Sequence, residues 1–228
     1  MQIELINRNS IIGLVGNSGS GKSTFISYFK PSKKVGVINY DTVKESNVRK
    51  QLYYYVMHYK YKINELDSRF NEIIKMLSIS EDILDKSIYE ISDSELTKVL
   101  IGSVLLYNPD FIIVDELLND LDDYNKEKIF KLFMKLKKFF NKTIIVVTSD
   151  IDYIFEYIDD VIIIDEGKVL LYGNKFEVYN NNYELLLGKK IRIPEIIQLK
   201  EKMKKKGYII DNCDSINELI KAIYRCVR

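Results

Sequence analysis

A chain of 228 residues can bury a sizeable core, as one large domain or as a core with appendages. Its 34 lysines and arginines face 33 aspartates and glutamates, a balance that excludes a general attraction to polyanions or to acidic substrates. The longest apolar runs are strand-sized, which excludes a bilayer-spanning helix, and no basic segment followed by a long apolar run indicates a signal peptide.

In chain order, Ile11–Val15 is an apolar run suited to a buried strand. It leads into Gly16-Asn17-Ser18-Gly19-Ser20-Gly21-Lys22-Ser23-Thr24, which fills the G-x-x-x-x-G-K-[ST] pattern of a phosphate-binding loop, and Ser23–Phe29 can continue as a helix. Strand, glycine loop and helix in this order predict binding of a nucleoside triphosphate. The glycines let backbone N–H groups turn inward around phosphates, and the helix directs the positive end of its dipole at the same anion. Lys22 is expected to reach the β- and γ-phosphates, and the Ser23 hydroxyl to ligate Mg²⁺.

Arg49–Tyr55 reads as a strand, Ile63–Leu77 as an amphipathic helix, and Ser92–Leu106 as a second helix stopped by Asn108-Pro109. Phe111–Val114 then runs as a buried strand into Asp115 and Glu116. Asp115 stands where a carboxylate would hold Mg²⁺ through water, and Glu116 where one would orient or deprotonate the attacking water. Tyr124–Phe140 places apolar residues at helical spacing between the Phe111 strand and another at Thr143–Val147, and Val161–Ile164 adds a further strand. Uniformly apolar strands alternating with amphipathic helices predict an α/β fold with a mostly parallel sheet. After Gly173 the chain becomes basic and helical. Its two cysteines, Cys213 and Cys226, lack metal-ligand spacing and read as reduced thiols of a cytosolic protein.

The order of segments resembles an ABC-transporter ATPase subunit. Tyr89–Glu95, with Ser92, Asp93, Ser94 and Glu95, stands where that family has a glycine-containing signature; Asn119–Asp122 is similar to its D-loop, and Thr148-Ser149-Asp150 occupies the place of its switch histidine. The tail pieces Gly173–Tyr179, Ile193–Leu199, Lys206–Tyr208 and Asp214–Ile220 resemble, in order, the carboxyl-terminal region of energy-coupling-factor ATPases, which serve vitamin and cobalt or nickel uptake. The resemblance implies a P-loop NTPase core over 1–57 and 108–172, a helical signature subdomain over 58–107 and a helical extension over 173–228.

The resemblance also implies ATP and Mg²⁺ as cofactors, Glu116 as catalytic base, and Gly16–Thr24 as the nucleotide loop. Metal contacts come from Ser23 and Asp115, and the Q-loop falls at Met57-His58. It implies a second ABC ATPase subunit as partner, a competent paralogue in a heterodimer or a copy in a homodimer. A transmembrane coupling subunit would dock over Tyr53–Leu77, placing the chain at the cytoplasmic face of the membrane. The departures are Ser149 for the switch histidine, a signature without glycines, and a shorter segment before the P-loop strand, which leaves no aromatic there to stack on adenine. Asp93 and Glu95 are expected to set carboxylates near the partner's nucleotide, a repulsion of roughly 3 kcal/mol for charges about 5 Å apart at an effective dielectric of about 20. Slow or partner-dependent hydrolysis is therefore expected. The alternatives are a degenerate regulatory ATPase that binds without turnover, and a soluble ATPase on nucleic acid through the lysines of 189–206; nucleic acid is not the expected partner, because such runs are usually solvated.

Overall fold

The computed structural model describes residues 6–60 and 66–226. The chain forms two compact units. Of the described residues, one unit comprises Ser10–Ser27 and 147–226; the other comprises 6–9, 28–60 and 66–146.

In the first unit β1 (Ile11–Val15) pairs parallel with β5 (Asp160–Asp165), which pairs antiparallel with β6 (Lys168–Asn174). Every residue of β1 is buried, as an unbroken Ile-Ile-Gly-Leu-Val run requires of a strand covered on both faces. Glu166 and Gly167, both at positive φ, form the two-residue turn between β5 and β6, the geometry that matches the twist of a hairpin. Helix α1 (Lys22–Ser27) follows the P-loop, and the short α6 (Ile151–Ile154) packs on β1. The extension is helical as expected: α7 (Lys175–Asn181), α8 (Tyr183–Gly188), α9 (Glu195–Lys205) and α10 (Ile216–Cys226). Asn174 caps α7 by accepting from the N–H groups of Phe176 and Glu177. Lys175, almost wholly buried, anchors the extension: its ammonium donates to the Phe155 carbonyl at 2.6 Å, pairs with Asp214 at 2.6 Å, and lies over the Phe155 and Phe176 rings. Cys213 is buried and Cys226 exposed, both as thiols.

In the second unit the strands run β2-β3-β4, with β2 (Val35–Ile38), β3 (Phe111–Asp115) and β4 (Thr143–Val147). β2 and β3 pair parallel, from Val35 opposite Phe111 to Ile38 opposite Val114. Helix α4 (Asp93–Tyr107) packs on β2. Gly36 makes that contact possible, since a Cβ there would lie 2.3 Å from Val104. Asn108 in the left-handed region ends α4 before Pro109, and Asn141 ends α5 (Asp123–Phe140) in the same way. Residues 66–77 of the expected Ile63–Leu77 helix form α3 (Leu66–Leu77), its face of Phe70, Ile73, Ile74 and Leu77 buried; 63–65 lie outside the described residues.

One expectation is overturned. Arg49–Tyr55 is not a strand but part of α2 (Val48–His58). Asn47 caps this helix by accepting from Lys50 N at 3.1 Å, and Val48, Gln51, Leu52, Tyr55 and Val56 bury one helical stripe. Three consecutive tyrosines imitate a strand in composition, but burial follows the helical period. Met57 and His58 therefore close a helix and do not follow a strand.

Candidate functional site

The P-loop closes around its own lysine. Ser20 N donates to Asn17 O at 3.0 Å, and Phe25 N to Gly21 O at 2.8 Å, which begins α1. Lys22 is 8% exposed, and its ammonium donates to Gly16 O at 2.9 Å and Asn17 O at 3.2 Å. Among the described residues of this unit no carboxylate pairs with it, so a buried cation faces neutral oxygens, an environment fitted to an anion. Asn17, Ser18, Gly19, Ser23 and Thr24 remain exposed along the mouth of the loop.

Two glycines show why the pattern needs them. A Cβ on Gly16 would lie 2.4 Å from Ile164 O and 2.5 Å from Ser20 Oγ. At Gly21, with φ of +97°, it would lie 2.7 Å from Gly167 Cα. The β5–β6 turn thus forms a floor beneath the loop, fastened by Gly167 N donating to Ser20 O at 2.8 Å.

Ser149 lies in the same unit and is exposed. The preceding Thr148 N donates to Leu14 O at 3.3 Å, tying this segment to the P-loop strand, and Asp150 N donates to Thr148 Oγ1 at 2.9 Å. The main chain is thus held in place, while a serine hydroxyl reaches less far than an imidazole.

In the second unit β3 ends at Asp115, which is half-buried. Glu116 follows outside the strand, exposed and at φ 58°, ψ −9°, and opens the 3-10 turn Leu117–Asp120. A non-glycine residue in this region carries local strain of the kind found at functional turns. The β2–β3 register adds a residue that the sequence reading missed: its last pair is Ile38 opposite Val114, and Asn39 and Asp115 each stand one step beyond it. Its Oδ1 is buried and accepts no hydrogen bond. The signal was an amide side chain directly after an apolar run, hidden because Val35–Ile38 is only four residues long.

The glutamine of this region is structural. Gln51 is fully buried in α2; its Oε1 accepts from Lys44 N (2.8 Å) and Glu45 N (3.0 Å), and its Nε2 donates to Thr42 O (3.0 Å). Outside that core, Glu45, Arg49, Lys50, Tyr53, Tyr54, Met57 and His58 line a groove of about 570 Å³. His58 stacks on Tyr54 at 5.6 Å.

The amino end of α4 is capped by its own side chains. Ser92 Oγ accepts from Glu95 N at 3.3 Å, and the Glu95 carboxylate accepts from Ser92 N and Ser92 Oγ, both at 2.8 Å. These bonds hold the Glu95 carboxyl below its ordinary pKa, the backbone N–H of Ser92 contributing most. Glu95 therefore turns back onto its own helix, contrary to the expectation that it projects toward a partner; Asp93 in the first turn is exposed.

Fold and loop together define a P-loop NTPase with α/β architecture. The family model for the ABC transporter matches residues 4–119, just over half of the chain, and the chain belongs to that family: it is an ABC-type, ATP-binding ATPase. Among curated relatives, the energy-coupling factor transporter ATP-binding protein EcfA2 of Acetivibrio thermocellus is 27% identical over 98% of this chain and 89% of its own length. That of Mycoplasma capricolum is 26% identical over 95% of this chain and 84% of its own length. Among solved structures, cbiO1 from Clostridium perfringens, part of the ABC transporter complex cbiONQ, is 27% identical with a TM-score of 0.65, covering 86% of this chain and 89% of that one. A dimeric ATP-binding cassette bound to ADP and Pi, 23% identical over 74% of this chain and 87% of its own, shares the fold at a TM-score of 0.65.

Proposed function

We propose that this chain is the ATP-binding subunit of an energy-coupling-factor-like importer, working in an asymmetric dimer with a second ABC ATPase and docking on a transmembrane coupling subunit. The observation that carries the reading is Lys22, a buried cation in a glycine loop with no carboxylate partner in its unit. The printed names of the relatives, an energy-coupling factor ATP-binding protein and a member of a cbiONQ complex, supply the transport context.

In this reading the N–H groups of Gly16–Thr24 and the Lys22 ammonium bind the phosphates. Ser23 in the first unit and Asp115 in the second are the residues that would be offered to Mg²⁺, through the hydroxyl and carboxylate oxygens that this hard cation prefers. Bound there, Mg²⁺ would neutralise charge on the phosphates. Glu116 orients the attacking water and takes its proton, and Asn39 beside Asp115 supplies an acceptor to the same cluster. The groove on α2 receives a helix of the membrane subunit; the rest of the expected docking stretch passes through residues 61–65, outside the described residues. Among the described residues no helix is long and apolar enough to cross a membrane; the peripheral place on the cytoplasmic face is proposed from the transporter names of the relatives.

A second reading, nucleotide binding with little turnover, draws support from Ser149 and from the self-capped α4. With Ser92 engaged by Glu95, the signature position offers its donors to an internal carboxylate before any partner's phosphate. The nucleic-acid reading loses ground, since Lys189, Arg192 and Lys205 each face an acidic side chain within their own unit. The experiment is ATP-driven uptake in a reconstituted complex carrying Lys22→Ala or Glu116→Gln. Loss of uptake in both supports the catalytic subunit, loss in Lys22→Ala alone supports the binding role, and unchanged uptake in both defeats the importer reading.

A further inference from the structure

We infer that Arg192, in the linker between α8 and α9, is a positioning residue for ATP hydrolysis: it clamps the segment carrying Ser149 against the P-loop strand. The inference rests on the reading of Ser149 as the switch position. The Arg192 guanidinium donates twice to Asp152 Oδ2, from Nε at 3.1 Å and from Nη2 at 2.7 Å. The other oxygen of Asp152 accepts from Glu195 N at 2.6 Å, so the first turn of α9 holds the same carboxylate. Nη2 also lies 3.4 Å from Asp150 Oδ1, an oxygen that is buried and makes no hydrogen bond. Arg192 thus spans both carboxylates that follow Ser149.

From Asp150 the path continues inward through bonds already described, Asp150 N to Thr148 Oγ1 and Thr148 N to Leu14 O, ending two residues before Gly16. A second tie leaves the same linker three residues earlier. Lys189 donates to Asp165 at 2.7 Å, in the hairpin whose Gly167 supports Ser20 and Gly21. Between and beside these cations Ile191 and Ile193 are each 4% exposed, so alternate residues of the linker are pinned in the core while the charged ones reach out.

A lone exposed ion pair would contribute little. Here a planar guanidinium makes a two-donor contact, the acceptor carries a third bond, and the linker is anchored on both sides of Arg192; such geometry fixes position rather than adding stability. The carboxyl-terminal extension thereby takes part in the nucleotide site through the segment that bears Ser149.

The test measures kcat and KM for ATP in the assembled transporter complex, with fluorescent-nucleotide affinity alongside, and takes Glu116→Gln as the zero of turnover. Arg192→Ala is expected to lower kcat about tenfold with KM and nucleotide affinity within about twofold, as loss of positioning does. Asp152→Asn should do the same, the double variant should be no slower than either single one, and Arg192→Lys should recover part of the rate. Wild-type kcat in Arg192→Ala, while Ser149→Ala lowers turnover, would overturn the clamp and leave the switch reading standing. A loss confined to nucleotide affinity, additive effects of the two substitutions, or wild-type turnover no higher than that of Glu116→Gln would overturn it as well. Unchanged turnover in Ser149→Ala beside a slow Arg192→Ala would support the clamp and remove only the role given to Ser149.

Discussion

The Lys22 ammonium sits in a loop that offers it two carbonyl oxygens and, among the described residues of its unit, no counter-ion. A charge-assisted bond is worth about 1.5–3 kcal/mol, so Lys22→Ala should weaken ATP binding about ten- to a hundredfold, read by displacement of a fluorescent analogue. Its effect on thermal stability should be small, because the substitution also removes a buried charge. Glu95 carries a prediction about pH. Its carboxyl titrates lower in the folded chain than when unfolded, so its contribution is complete above the ordinary carboxylate range and fades as pH falls through that range and below it. Glu95→Gln should therefore cost stability at neutral pH, by about 1 kcal/mol or less for a capping interaction, and the difference should shrink in acid denaturation as pH falls below the ordinary carboxylate range. Faster turnover in the assembled dimer of that variant would show that the cap also restrains the partner's site.

Among the elements, α2 teaches most about reading a sequence. The P-loop, Asp115 and the strands around them were legible, because close backbone approach admits only glycine and buried parallel strands admit only apolar residues. The stretch at Arg49–Tyr55 was not, since tyrosine favours strands in composition and the decisive signal lay in Asn47 and in the burial of Gln51 four residues on. Asn39 escaped for a related reason: its neighbour Asp115 is adjacent only through the β2–β3 register, which no local pattern records. Gln51 itself is open to test. It satisfies three backbone groups that would otherwise be left without their partner, so Gln51→Leu should destabilise by about 2–4 kcal/mol, seen as an earlier thermal transition, with the turn at Thr42–Glu45 first to gain hydrogen exchange.

For the whole molecule, the carboxyl-terminal extension is the part whose role the sequence left widest. Its helices and basic composition were readable; the single buried lysine that fastens it was not, since nothing local distinguishes Lys175 from the exposed lysines of α9. Burial pushes the Lys175 ammonium below its ordinary pKa, and Asp214 acts against that shift. Asp214→Asn should leave the cation without its counter-charge, cost about 2 kcal/mol, and make the chain beyond Tyr179 the first site of limited proteolysis. Retention of the full-length band under protease would contradict this account of the anchor.

Hairpin tips are ordinarily where a chain accepts inserted residues. The Glu166–Gly167 tip is an exception, because its glycine amide is spent on Ser20 and its α-carbon fills the space under Gly21. A peptide tag placed there would unseat the nucleotide loop from below. In an isotope-labelled sample, the Gly167 amide resonance would report, from the hairpin side, whether that loop is seated.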